Sequence, residues 1–186
     1  MSHYPPQVVL VTGASSGIGR AVAQHLHARG YRVFGTQYQT RISESTITMI
    51  PMNVDDDQSV RQGIARLYEE AGRLDAVVNS AGWLLIGSIE DTSLTEAKAQ
   101  LETNFFGVLR VSKAVLPFLR RQGSGHIVNI SSLGGVQGLP FCGLYCASKF
   151  AIEGLSESLR LEVSRFGVQV VIIEAGDFHT RMSTRR

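Results

Sequence analysis

Cysteine is nearly missing from this chain: 186 residues hold two thiols, Cys142 and Cys146. Two cannot staple a small disulfide-dependent fold, and no histidine or third cysteine lies near them in sequence to complete a metal set. No metal site is expected. An excess of either charge is missing as well. Lys plus Arg number 18 and Asp plus Glu 16, a net charge of +2. No strong basic field gathers phosphate backbones, so nucleic acid is not an expected partner. Arg181, Arg185 and Arg186 form only a small basic tip and read as a solvated end. No run of 18 apolar residues is present to span a bilayer, and no basic stretch followed by an apolar one opens the chain. No membrane partner is expected, and a soluble, reducing, cytoplasmic setting is the default. What is present is globular: 44% apolar and 18% charged residues, enough for one core and one domain over 1–186.

Short β-branched runs alternate with longer helical patterns. The runs are Val8 to Thr12, Arg32 to Gln37, Thr46 to Met52, Ala76 to Asn79, His126 to Ile130 and Val168 to Ile173. Most lack polar alternation, as expected of strands covered on both faces. Helices are expected over Gly17 to Arg29, Asp57 to Ala71, Ser93 to Gly107, Val108 to Arg121 and Tyr145 to Phe166. Gly30, Gly72 and Gly167 stop three of them. Ser93 with Glu96 reads as a capping box, and Pro117 should bend or end its helix. Strand alternating with helix predicts a parallel sheet with helices on both faces. Only about eight residues separate the second and third strands, too few for a full crossover helix.

The first strand runs into Thr12-Gly13-Ala14-Ser15-Ser16-Gly17-Ile18-Gly19 and then a helix. Gly13 lets the chain turn out of the strand. Gly17 and Gly19 clear space for a pyrophosphate and for close packing of helix on sheet. The helix N-terminus adds free N–H groups and a positive dipole end. No Gly-Lys-Ser/Thr follows, so this is not a P-loop. An acid at the end of the second strand would hold the ribose 2′-hydroxyl of NAD and repel the 2′-phosphate of NADP. Here Gly35 to Arg41 carries none, and the first acid is Glu44. NADP is therefore the expected cofactor and NAD the second choice. Arg41 is the candidate for the 2′-phosphate, and Tyr38 for stacking on adenine.

Ser131 and Ser132 end the fifth strand, and Tyr145-Cys146-Ala147-Ser148-Lys149 follows thirteen residues after Ser132. Tyr and Lys four apart share one face of a helix. A free phenol, with a pKa near 10, is a weak base at neutral pH. An ammonium about 4 Å away, at an effective dielectric near 20, contributes up to roughly 4 kcal/mol and would bring the phenol into working range. A serine at the carboxyl end of a parallel strand lies at the edge where ligands of such sheets bind.

This series is similar to the short-chain dehydrogenase/reductase family: TGASSGIG, then NSAG at Asn79 to Gly82, then Asn104, then ISS ahead of YCASK. The stretches LPFLRRQGSGHIVNISS and YCASKFAIEGLSESLRLEV resemble its steroid- and retinol-type oxidoreductases. The resemblance covers Val8 to about Thr180. It implies a Rossmann-type three-layer α/β fold with six parallel strands in the order 3-2-1-4-5-6. It also implies a nicotinamide cofactor and a catalytic tetrad of Asn104, Ser132, Tyr145 and Lys149. By the same resemblance Tyr145 is the acid/base and Ser132 orients the substrate carbonyl. Lys149 lowers the Tyr145 pKa and binds the nicotinamide ribose, and Asn104 holds a water of the proton relay. Asn79, Ala81 and Gly82 lie along the adenosine side, and Thr180 meets the carboxamide. A homodimer through the Tyr145 to Phe166 helix is implied as well.

Three departures from the family pattern stand out. Asn53, before Val54, replaces an Asp near adenine. Ala175-Gly176 replaces a Pro-Gly in the cofactor turn. The chain ends at Arg186, before the substrate-covering segment and seventh strand that the resemblance implies. The expected function is alcohol/carbonyl interconversion by hydride transfer on an apolar small molecule such as a steroid, retinoid or lipid carbonyl. The alternative is a non-catalytic dinucleotide-binding scaffold or sensor. His179 beside Thr180 is a lesser candidate for the site. Trp83 to Ile86 read as core or lid packing.

Overall fold

The computed structural model describes residues 7–38 and 47–176, with the backbone of 184–185. Six parallel strands form the main sheet: β1 (Val8–Val11), β2 (Arg32–Gln37), β3 (Thr48–Pro51), β4 (Ala76–Asn79), β5 (Gly125–Ile130) and β6 (Val168–Ile173). Their order in space is β3-β2-β1-β4-β5-β6, as expected. A separate two-residue pair joins Leu84–Leu85 to Thr184–Arg185, also in parallel. The link between β2 and β3 falls largely outside the described residues.

All four residues of β1 are buried, which accounts for its unbroken apolar run. Two cores sit on the two faces of the sheet. Leu10, Phe34, Ile64, Leu67, Val111, Val115, Leu119 and Ile127 pack in one. Val9, Val11, Ala23, Val33 and Val78 pack in the other. The helices that cover them are α1 (Gly17–Ala28), α2 (Asp57–Ala71), α3 (Leu94–Leu101), α4 (Gly107–Gln122) and α5 (Gly143–Val163). The helix-stopping glycines behave as expected: Gly72 and Gly167 have φ of 71° and 70°. Ser93 and Glu96 form the full capping box on α3.

Two expectations are corrected. Pro117 does not end its helix, because α4 runs from Gly107 through it to Gln122. Pro117 and Lys113, whose carbonyl loses its intrahelical partner, both face solvent, while Val115 and Leu119 anchor the helix on its buried side. The expected boundary near Gly107 is not a break either. A π-helical turn, Glu102–Phe106, joins α3 directly to α4. Such turns contain one residue more than the α-helix around them and gather at functional sites; this one carries Asn104.

Candidate active site

The carboxyl ends of β1, β4 and β5 open into a cleft of about 720 Å³. Gly13, Ser15, Ser16, Gly17, Ile18 and Gly19 line one end, with Tyr38 beside them, and Asn53 and Val54 lie on the β3 side. Ala81, Gly82, Asn104, Ser132, Tyr145, Lys149 and Gly176 line the rest. Almost every residue picked out in the sequence is thus brought together. Arg41, Thr180 and His179 lie outside the described residues.

The glycine loop is shaped by close approach. Gly13 has φ of 68°, and a Cβ there would meet the Ala81 Cα at 2.8 Å. A Cβ on Gly19 would meet the Gly13 carbonyl oxygen at 2.5 Å. Thr12, which sequence reasoning missed, ties this loop to the next strand's end: its Oγ1 accepts from the Ser80 and Ala81 amides, each at 3.0 Å. The α1 N-cap, Ser16, makes no side-chain cap. The first N–H groups of α1 therefore have no side-chain partner at the cap and meet the cleft, an arrangement suited to an anion.

Asn79 is corrected. Its side chain turns into the sheet rather than the cleft, and Nδ2 donates to Asn129 Oδ1 at 2.8 Å. Asn129 in turn donates to Ser156 on α5 at 2.8 Å. The family stretch NSAG therefore begins with a structural residue, and the cleft is lined from Ser80 onward. Asn53 also spends its acceptor within the protein, since its Oδ1 accepts from the Asp55 amide at 3.1 Å.

At the other end, α5 carries Tyr145 and Lys149 one turn apart and both are buried. Lys149 Nζ donates to the Ile130 carbonyl at 2.7 Å and lies 5.6 Å from the centre of the Tyr145 ring. Burial pushes the ammonium down to about 8 from an ordinary 10.5, against the pull of Glu153, which favours the charge. The expected effect on Tyr145 is reversed. Burial raises the phenol, a side-chain hydrogen bond with Ser132 lowers it in part, and Cys146 and Cys142 push it up. In the protein alone Tyr145 is therefore a neutral proton donor at pH 7.

Asn104 is placed in the site with both of its amide protons engaged. Oδ1 accepts from the Trp83 N–H at 3.1 Å, and Nδ2 donates to the Trp83 carbonyl at 3.0 Å and to Ser148 Oγ at 3.2 Å. A water held by this side chain, as the resemblance implies, would have to donate to the second lone pair of Oδ1, because both Nδ2 protons are spent. Gln100, Ser148 and Arg110 are the other residues that sequence reasoning missed. Arg110 ties Asp57, Glu102 and the Val54 carbonyl together, and Thr103 donates to Asp55. Helical spacing was the signal that could have drawn attention to Gln100 and Ser148: Gln100 stands one turn before Asn104, and Ser148 one turn after Tyr145. Cys142 lines the cleft and Cys146 is buried; both are free thiols, and burial raises Cys142. Among the described residues no cluster of metal-binding side chains exists and no helix is long and apolar enough to cross a membrane.

The short chain dehydrogenase family matches residues 7–186, and the chain belongs to that family. It is 44% identical over 181 residues to a 3-ketodihydrosphingosine reductase of Bacteroides thetaiotaomicron, covering 97% of this chain and 67% of that one. It is 38% identical over 185 residues to retinol dehydrogenase 8 of Homo sapiens, covering 92% and 58%. Among solved structures it is similar to a short-chain dehydrogenase of Streptomyces avermitilis, with a TM-score of 0.91, 37% identity, and 98% of this chain and 70% of that one covered. ElxO with NADP bound has a TM-score of 0.90 and 29% identity, over 95% of this chain and 75% of that one.

Burying Lys149 has a stability consequence with a definite sign. Its folded pKa lies below the unfolded one, so between about pH 8 and 10.5 the unfolded chain holds more protons and stability rises with pH. The raised Tyr145 works the other way only above the ordinary tyrosine value of 10.0. Urea midpoints of the cofactor-free protein should therefore climb between about pH 8 and 9.5, and Lys149→Met should flatten that climb. An equal climb in the variant would remove Lys149 as its source.

Proposed function

We propose that the protein is an oxidoreductase that interconverts an alcohol and a carbonyl by hydride transfer, using NADP in preference to NAD. One observation carries the reading: Ser132, Tyr145 and Lys149 converge at one end of a cleft whose other end is the glycine loop and the uncapped start of α1. These residues fit a dinucleotide. The α1 N-terminus and Gly17 would hold the pyrophosphate, Asn53 and Val54 the adenine side, Tyr38 a face of the adenosine, and Lys149 the nicotinamide ribose. The nicotinamide, when bound, supplies or accepts the hydride.

The chain's own residues handle the proton and the charge. A substrate oxygen placed between Ser132 and Tyr145 receives a hydrogen bond from each. During reduction Tyr145 gives its phenolic proton to that oxygen while Ser132 steadies the growing negative charge. In the opposite direction the phenolate takes the proton back. Lys149, held on the Ile130 carbonyl, places a positive charge behind this exchange. An apolar substrate is supported by exposed apolar side chains next in sequence to cleft-lining residues: Leu133, Val136 and Phe141 between Ser132 and Tyr145, and Ile86 and Ile89 after Leu84. The names of the two curated relatives support the same class.

Fluorescence titration should find NADPH bound more tightly than NADH, because no acid ends β2. Tighter NADH binding would overturn the preference. Tyr145→Phe in the full-length protein should bind NADPH as the parent does and lose about 10² to 10⁴ in turnover of an apolar ketone followed at 340 nm. Turnover within about threefold of the parent would remove Tyr145 from the proton step. NADPH binding without turnover of any carbonyl by the parent would favour a scaffold or sensor.

We further propose a homodimer through α5. Of the apolar residues on this helix, Ile152, Leu159 and Val163 are spent on the chain's own core, while Phe150 and Leu161 stay exposed, at 47% and 79%. A two-fold contact would cover them in both copies at once. Light scattering should give twice the monomer mass, and Leu161→Glu should halve it. A monodisperse monomer from the parent would refute the dimer.

A further inference from the structure

Gln100 is a fully buried polar side chain behind the cleft wall, with none of its surface exposed, and it does not itself line the cleft. Its carboxamide is spent on the backbone of the cleft wall. Oε1 accepts from the Leu85 N–H at 2.7 Å, and Nε2 donates to the Trp83 carbonyl at 2.8 Å. Those two backbone groups flank Leu84. They are the pair that one residue of a neighbouring parallel strand would engage if it lay opposite Leu84. The side-chain amide thus takes the place of a strand residue. Leu84–Leu85 is paired in parallel to Thr184–Arg185, so Gln100 closes the two-residue strand with a substitute peptide group.

The neighbouring amide completes the hold. Asn104, one turn further along the same helix, grips both the N–H and the carbonyl of Trp83. Between them the two amides fix four hydrogen bonds on two residues, Trp83 and Leu85, and Trp83 and Leu84 line the cleft together with Ser132, Tyr145 and Cys142. We propose that Gln100 is a positioning residue that sets the Trp83–Leu85 wall of the substrate end of the cleft, acting through backbone rather than through the reacting atoms. The role needs a donor and an acceptor at one side-chain length. Glutamate keeps the acceptor only, methionine keeps the volume only, and asparagine is one carbon short. The kinetic consequence rests on the oxidoreductase reading; the structural one does not.

Trp83 is the chain's single tryptophan, so its emission reports this wall directly. Gln100→Met and Gln100→Glu in the full-length protein should both shift Trp83 emission to the red, but only Gln100→Met, which loses the acceptor, should speed hydrogen exchange at the Leu85 amide. NADPH affinity should stay that of the parent, while kcat/KM for an apolar ketone falls about 10- to 100-fold, chiefly through KM. A purely structural residue would lower NADPH affinity and ketone turnover together, and that result overturns the proposal. So does an unchanged KM in variants whose Leu85 amide has loosened. Should neither variant fold, the parent still decides: a Leu85 amide exchanging as fast as an exposed loop amide sinks the clamp. If the parent binds NADPH but reduces no carbonyl, the functional reading fails, while Trp83 emission and Leu85 exchange still judge Gln100.

Discussion

A buried ammonium is among the most expensive things a protein can hold, and Lys149 is the point from which the site is organised. The cost of removing it from water is met by the Ile130 carbonyl at 2.7 Å and by the charge of Glu153. Both partners are fixed by secondary structure: Ile130 ends β5, and Glu153 lies one turn along α5. That fixing sets α5 against the sheet edge. It thereby places Tyr145, one turn before Lys149, within hydrogen-bond reach of Ser132. Ser148 on the same helix accepts from Asn104 and donates to the Tyr145 carbonyl. Helix, sheet edge and π turn are thus joined by polar contacts that leave little freedom at the reacting end.

The two ends of the cleft are held by different means. The cofactor end is a matter of close packing, with glycines where strand, loop and helix meet at less than a side chain's distance. The substrate end is held by side-chain amides and by loop contacts, including the bond from the Gly87 N–H to the Phe141 carbonyl at 2.9 Å. Phe141 is the only described residue other than glycine with a positive φ, 59°, and its ring is exposed. Strain without compensating burial is characteristic of segments shaped for a ligand rather than for the fold. Arg110 links the ends, because it ties the Val54 carbonyl to Glu102 in the turn that carries Asn104.

The cofactor end was the more legible in sequence. A glycine loop between a strand and a helix is a local pattern, and so are Tyr and Lys four residues apart. The strand order was legible only through the family resemblance, since alternation of elements predicts a parallel sheet without ordering it. What escaped was non-local or electrostatic. Nothing in the text NSAG says which way Asn79 turns, because its partner Asn129 is fifty residues away. The direction of the Tyr145 shift depends on burial, which spacing does not reveal. Pro117 misled because the rule about helix interiors assumes that the lost bond matters, and on a solvent face water replaces it.

The π turn at Glu102–Phe106 has a consequence for how one rod meets two partners. One extra residue in a helix advances its azimuth by about 100°. The face of α3 that reaches the cleft wall, through Gln100, and the face of α4 that fills the core, through Val111, Val115 and Leu119, are thereby put out of phase on a single continuous rod. The turn works as a phase joint, letting one helix serve the cleft at one end and the core at the other. Winding the same residues as a regular α-helix would turn one of the two faces away from its partner by close to one residue's azimuth. The wide turn therefore decides which face meets the cleft wall and which meets the core, without either helix having to bend.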